Sequence, residues 1–89
     1  MATVACASRL QHVGPYQPVS YPGNTVMEVL NALEADYPKL KNYLLDDQGR
    51  VRTHVAVFVD GTLQPRDTVL NRPVDAGDEV YFMQALSGG

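Results

Sequence analysis

This sequence predicts an α+β domain in which one helix packs on a mixed sheet, and three observations carry the prediction. One segment with helical spacing stands between two groups of strand-like segments. An Asp60-Gly61 turn signal follows the most β-branched run of the chain. The last strand-like run leads directly into Gly88-Gly89. The 89 residues suffice for one domain with a thin core, since a chain of this size buries only roughly 60–65% of its unfolded surface.

The first strand is expected from Thr3 to Arg9, with Val4 and Cys6 on one face and Ala5 and Ala7 on the other. Gly14-Pro15 marks a turn. Tyr16 to Tyr21 is a second, weaker strand, and Pro18 places it at an edge because proline cannot donate to a ladder. Pro22-Gly23-Asn24 breaks the chain. Thr25-Val26-Met27-Glu28 has the form of a capping box, and Val26, Val29, Leu30 and Leu33 make one apolar helical stripe. Pro38 should end this helix near Asp36 or Tyr37. Leu40, Tyr43, Leu44 and Leu45 read as an irregular apolar turn under the domain, followed by the polar loop 46–49.

His54 to Val59 is the strongest strand signal, and Asp60-Gly61 is a hairpin turn. Thr62 to Gln64 begins the return, and Pro65 limits it. Val69, Leu70 and Val74 add core contacts. Ala76-Gly77-Asp78 turns the chain into the last strand, Glu79 to Ala85. The order strand, strand, helix, strand, short strand, strand fits a β-grasp (ubiquitin-like) roll, in which the last strand lies parallel beside the first. Residues 1–85 form this domain, and residues 86–89 form a flexible tail with no element left to join.

Composition narrows the function classes. The formal net charge is −3 and the basic residues do not cluster, so nucleic acid is not an expected partner. No apolar run approaches the roughly 20 residues of a membrane span, and the N-terminus lacks the pattern of a secretory signal. A single cysteine excludes an internal disulfide and suits a reducing cytoplasm, the expected location.

Two strands carry apolar residues on both faces, although one helix can cover only one. Val4, Cys6, Val55, Val57, Val59, Val80 and Phe82 are assigned to the helix side. Ala5, Ala7, Ala56, Phe58, Tyr81 and Met83 then share the open side. Such a patch marks a partner-docking face, with a homodimer face or a loop-covered second core as the alternatives.

The tail carries the chemistry. Without Cβ atoms, Gly88 and Gly89 can thread a narrow channel and deliver the terminal carboxylate into a partner's active site. A carboxylate is ionised and a poor electrophile at neutral pH. Conversion by ATP to an acyl-adenylate makes it reactive, after which sulfur gives a thiocarboxylate and an amine gives an amide. Leu86 to Gly89 span roughly 13 Å when extended, enough to enter a cleft.

Val55-Ala-Val-Phe-Val-Asp-Gly61, Ala76-Gly-Asp-Glu-Val80 and Ala85-Leu-Ser-Gly-Gly89, with a helix carrying Leu30, Leu33, Tyr37 and Pro38, resemble the MoaD/ThiS family of ubiquitin-like sulfur carriers over nearly the whole chain. The resemblance implies that an E1-like enzyme adenylates Gly89 with ATP, that Leu86, Ser87 and Gly88 are recognised with it, and that a sulfur donor forms the thiocarboxylate. A biosynthetic enzyme then accepts the sulfur. Carriers for cysteine or other sulfur metabolites, and the small subunit of molybdopterin synthase, are the subgroups implied. A protein modifier conjugated through Gly89 and a non-covalent binding module are the competing functions.

Other reactive residue types are read structurally. Cys6 is a small buried hydrophobe in strand register. His12 and His54 have no partner at metal-ligand spacing, so no metal is expected. Arg50, Arg52 and His54 form a small basic edge, most simply a solvated one. No nucleophile–base motif or phosphate-cradling glycine loop is present, so the chain is expected to be no enzyme and to hold no cofactor of its own.

Overall fold

The computed structural model describes residues 1–84. Among these, five strands form one sheet: β1 (Ala2–Cys6), β2 (Val19–Tyr21), β3 (Val55–Val59), β4 (Thr62–Leu63) and β5 (Glu79–Gln84), in the order β2-β1-β5-β3-β4. β5 lies at the centre. It pairs parallel with β1, with Val4 beside Val80, and antiparallel with β3, with Val57 beside Phe82. Two hairpins joined by a helical crossover make this the β-grasp arrangement.

Helix α1 (Val26–Leu33) starts where the capping box places it. The Thr25 hydroxyl accepts the Glu28 backbone N–H at 3.2 Å, and Glu28 Oε1 accepts the Asn24 N–H at 3.1 Å. Gly23 permits the entry: at φ +149°, its absent Cβ would stand 2.7 Å from the Val29 backbone nitrogen. The turn after β3 has φ +52° at Asp60 and +83° at Gly61, the left-handed pair that a tight hairpin requires.

Four sequence expectations change. The second strand, expected from Tyr16, begins only at Val19. The first strand stops at Cys6, and Ser8–Leu10 form a 3-10 turn that buries Leu10 instead of continuing to Arg9. Helix α1 ends at Leu33 rather than at Asp36 or Tyr37. The segment expected to be an irregular turn is a second helix, α2 (Pro38–Leu44), which buries Leu40 and Leu44. Pro38 does not end α1, which has already stopped at Leu33; it begins α2. Its fixed φ and missing N–H cost nothing in a first helical turn, and Leu40 and Leu44 fall on one face at i, i+4.

Both helices pack on the same side of the sheet. The core joins Val26, Val29, Leu30, Leu33, Leu40 and Leu44 to Val4, Cys6, Val55, Val57, Val59, Val80 and Phe82. All seven residues assigned to the helix side are buried. Gly14 closes this core edge by its lack of a side chain, since a Cβ there would meet Cys6 Sγ at 2.7 Å and Leu40 Cδ2 at 3.0 Å.

Candidate functional site

The strand period places every second residue of β1, β3 and β5 on the face away from the helices. Register sets Ala5 beside Tyr81, Tyr81 beside Phe58, and Phe58 beside Leu63; Met83 stands beside Ala56. Ala7 follows β1, and its N–H donates to the Phe82 carbonyl at 2.9 Å. Ala5, Ala7, Ala56, Phe58 and Met83 are half-buried, while Tyr81 is 39% and Leu63 60% exposed. The Phe58 and Tyr81 rings meet edge-on at 6.5 Å. The structure therefore gathers the six residues of the expected docking face and adds Leu63 to them. Register across the Asp60-Gly61 hairpin is the signal that points to Leu63.

The expected attachment residue Gly89, and Leu86, Ser87 and Gly88 with it, lie outside the described residues. The last described residue, Gln84, sits at the end of the central strand on the helix side. Its Oε1 accepts the Tyr43 hydroxyl of α2 at 3.0 Å. Tyr43 in turn lies edge-on between His12 (5.5 Å) and His54 (6.5 Å). This arrangement escapes sequence reasoning, because it depends on α2 being a helix.

The titratable groups bear on what the site can do. Burial pushes the Cys6 thiol up to about 12, so it stays protonated and unreactive under a roof of Gly14 and Leu40. Tyr21 is raised to about 12, first by burial and then by its hydrogen bond to Asp36 Oδ2 at 2.9 Å. Asp46 is held below the ordinary carboxylate range, chiefly by the Arg50 backbone N–H and further by that of Gln48. Arg50 belongs to that loop and lines a groove of about 500 Å³ with Met27, Val51, Arg66 and Leu70. Arg52 instead donates to the Asn42 carbonyl at 3.3 Å beside His54, so the expected basic edge is divided between two places. Among the described residues, no three His, Cys, Asp or Glu side chains group to hold a metal, and no helix is long and apolar enough to cross a membrane.

The model of the ThiS family matches residues 16–89. Three solved structures share the fold. CysO from Mycobacterium tuberculosis has 26% identity and a TM-score of 0.83, covering 97% of this chain and 100% of that one. SAMP1 from Haloferax volcanii has 26% identity and a TM-score of 0.74, covering 99% and 98%. The Amycolatopsis orientalis BexX/CysO complex contains a chain with 22% identity and a TM-score of 0.85, covering 100% of both. No curated protein sequence matches significantly.

Proposed function

The chain belongs to the ThiS family, and from that membership we propose that it is a sulfur carrier loaded at the carboxylate of Gly89. The observation that carries the reading is the family match itself, which runs through the Gly88-Gly89 end. The sheet supports it: the tail follows β5, the central strand, which pairs with β1 on one side and β3 on the other.

In the proposed loading, a Gly89 carboxylate oxygen attacks the α-phosphorus of ATP on an E1-like enzyme and releases pyrophosphate. Sulfide-level sulfur from a donor then attacks the acyl carbon. The bond to the phosphate oxygen breaks, AMP leaves with the electron pair, and a thiocarboxylate remains. The chain contributes no acid, base or metal to these steps. It supplies a stiff base for the tail and a docking face, Ala5, Ala7, Ala56, Phe58, Tyr81 and Met83, while Leu86, Ser87 and Gly88 are read along the partner's channel. The likeness to CysO favours an acceptor enzyme in cysteine or related sulfur-metabolite synthesis over molybdopterin synthase.

A second reading, conjugation of Gly89 to a lysine amine, is favoured by the likeness to small archaeal modifier protein 1 from Haloferax volcanii. Intact-mass analysis after incubation with the activating enzyme, ATP and sulfide separates the two. One oxygen-to-sulfur replacement supports the carrier, and larger conjugates in cell extract support the modifier. An unchanged mass in both settings supports a non-covalent binding module.

A further inference from the structure

The end of β5 outruns one of its two neighbours. Register pairs β1 with β5 as far as Cys6 beside Phe82. Ala7 then donates to the Phe82 carbonyl at 2.9 Å, and its own carbonyl turns away to accept the Leu10 N–H at 2.8 Å in the 3-10 turn. Among the described residues, Met83 and Gln84 have β3 alone as a strand neighbour, through Ala56 and Val55. A strand end paired along one side has less to hold it against fraying, and this is the end from which the tail departs.

Tyr43 supplies a second hold from the helix face. Its hydroxyl donates to Gln84 Oε1 at 3.0 Å. The Tyr43 ring meets His12, from the loop after the 3-10 turn, and His54, just before β3, edge-on at 5.5 and 6.5 Å. A ring already braced by packing gives up little freedom when its hydroxyl bonds. Helix α2 is in turn tied to β3. The Arg52 N–H donates to the Leu44 carbonyl at 2.9 Å, its guanidinium donates to the Asn42 carbonyl at 3.3 Å, and its own carbonyl accepts the Val55 N–H at 3.0 Å. Val55 is the residue that pairs with Gln84. The contacts therefore close a ring, from Gln84 through Val55, Arg52 and α2 to Tyr43 and back to Gln84. The ladder holds the strand end within the sheet, and the Tyr43 hydroxyl holds it toward the helices.

We propose that Tyr43 is a positioning residue for loading: through Gln84 it fixes where and in which direction the chain leaves β5, and so how readily the Gly89 carboxylate reaches the activating enzyme's reaction centre. This inference rests on the carrier reading for the reaction it serves. Gly89 lies five residues beyond Gln84, a reach of roughly 17 Å when extended. Holding the base of such a segment narrows the volume its end samples. For a partner docked on Phe58, Tyr81 and Met83, that raises the effective concentration of the carboxylate at the channel.

The test loads the full chain with its E1-like enzyme, ATP and sulfide, following pyrophosphate release and intact mass. Tyr43→Phe keeps the ring between the two histidines and removes the hydroxyl. Gln84→Met keeps the side-chain length and removes the acceptor. Each should lower kcat/KM for pyrophosphate release roughly three- to tenfold per folded molecule, the effect of one lost neutral hydrogen bond. The double variant should be no slower than the slower single, because both changes remove the same bond. Gln84→Glu keeps an acceptor oxygen and should load within about twofold of the parent. In the free chain, the backbone amide order parameters of Met83 and Gln84 should fall in Tyr43→Phe, while those of Val80 and Phe82 hold. Unchanged kcat/KM in Tyr43→Phe overturns the proposal. So do additive losses in the double variant, a Gln84→Glu chain as slow as Gln84→Met, or unchanged order at Gln84. A parent chain that gains no sulfur, or a Gly89-deleted chain that does, defeats the carrier reading instead, and the order parameters then decide whether Tyr43 holds the strand end.

Discussion

Tyr81 on β5 stands directly opposite Phe58 on β3, and their rings meet edge-on at 6.5 Å on the face that neither helix covers. One residue further along β5, Phe82 points the other way and is 2% exposed within the core. Neighbouring aromatics in one strand therefore lie on opposite faces, one in the core and one exposed, because side chains alternate between faces.

Phe58→Ser should leave the domain folded. An aromatic pair of this kind contributes about 0.5–1.5 kcal/mol beyond its burial, so a small fall in the denaturation midpoint is expected together with weaker binding to the activating or accepting enzyme. Phe82→Ala should cost about 3–5 kcal/mol, as large-to-small changes of buried aromatics do. Equal losses of stability in the two variants would show that the faces are not functionally distinct.

The alternation of Val55, Val57 and Val59 with Ala56 and Phe58, and of Val80 and Phe82 with Tyr81 and Met83, makes both sheet faces legible from the residue pattern alone. A period of two is strict, and an Asp-Gly hairpin pins the register. The parallel placement of β5 beside β1 is legible from the order of elements. Helix α2 is not, because Pro38 reads as a stop although it also suits a first helical turn. Without α2, the contacts of Tyr43 with His12, His54 and Gln84 have no frame. Gly14 reads as a turn residue, whereas its close approach to Cys6 and Leu40 is tertiary and leaves no local trace.

The helix start provides a direct test. Thr25 accepts the Glu28 N–H, and Thr25→Ala should destabilise the domain by ~1 kcal/mol. Thr25→Ser, which keeps the acceptor, should recover most of that loss in a urea titration. Equal loss in both variants would assign the cost to the β-branched methyl rather than to the cap.

Stability should fall at alkaline pH. The Cys6 thiol is raised from an ordinary value of 9.0 to about 12 by burial. The unfolded chain therefore releases this proton near pH 9 while the folded chain retains it, so the unfolded state binds fewer protons and stability declines as pH rises. The contribution is complete below pH 9 and is lost progressively toward pH 12. Tyr21, raised from 10.0 to about 12, acts in the same direction over the upper part of that window. Urea midpoints from pH 7 to 11 should show the decline, and Cys6→Ala should flatten the part that begins at pH 9. A profile with the same slope in Cys6→Ala would assign it to other groups.

Gly14→Ala should destabilise by about 1–3 kcal/mol, the usual cost of forcing an extra carbon into packed space. The new Cβ would stand 2.7 Å from Cys6 Sγ. Cys6→Ala removes that sulfur, so the double variant should lose less than the sum of the singles, a coupling expected of residues in contact. Strict additivity would show that Leu40 or the backbone, rather than Cys6, resists the substitution.

The last prediction separates the reacting group from the tail that carries it. If Gly89 is loaded at its carboxylate, the chemistry depends on where that carboxylate sits, while the packed domain does not. Deleting Gly89 should abolish thiocarboxylate formation and keep stability within ~0.5 kcal/mol of the parent, as for changes away from packed contacts. Appending one alanine after Gly89 should block loading equally, because the carboxylate then lies one residue further on, roughly 3.5 Å, and belongs to a residue with a Cβ. Leu86→Ala and Ser87→Ala keep the carboxylate in place and should weaken loading without abolishing it. Adenylate formation can be followed by pyrophosphate release and the thiocarboxylate by intact mass, so a block at either step is identified. Loading of the alanine-extended chain at the parent rate in an assay free of peptidase would show that the partner does not read the tail end, and the Gly89 carboxylate would lose its assigned role.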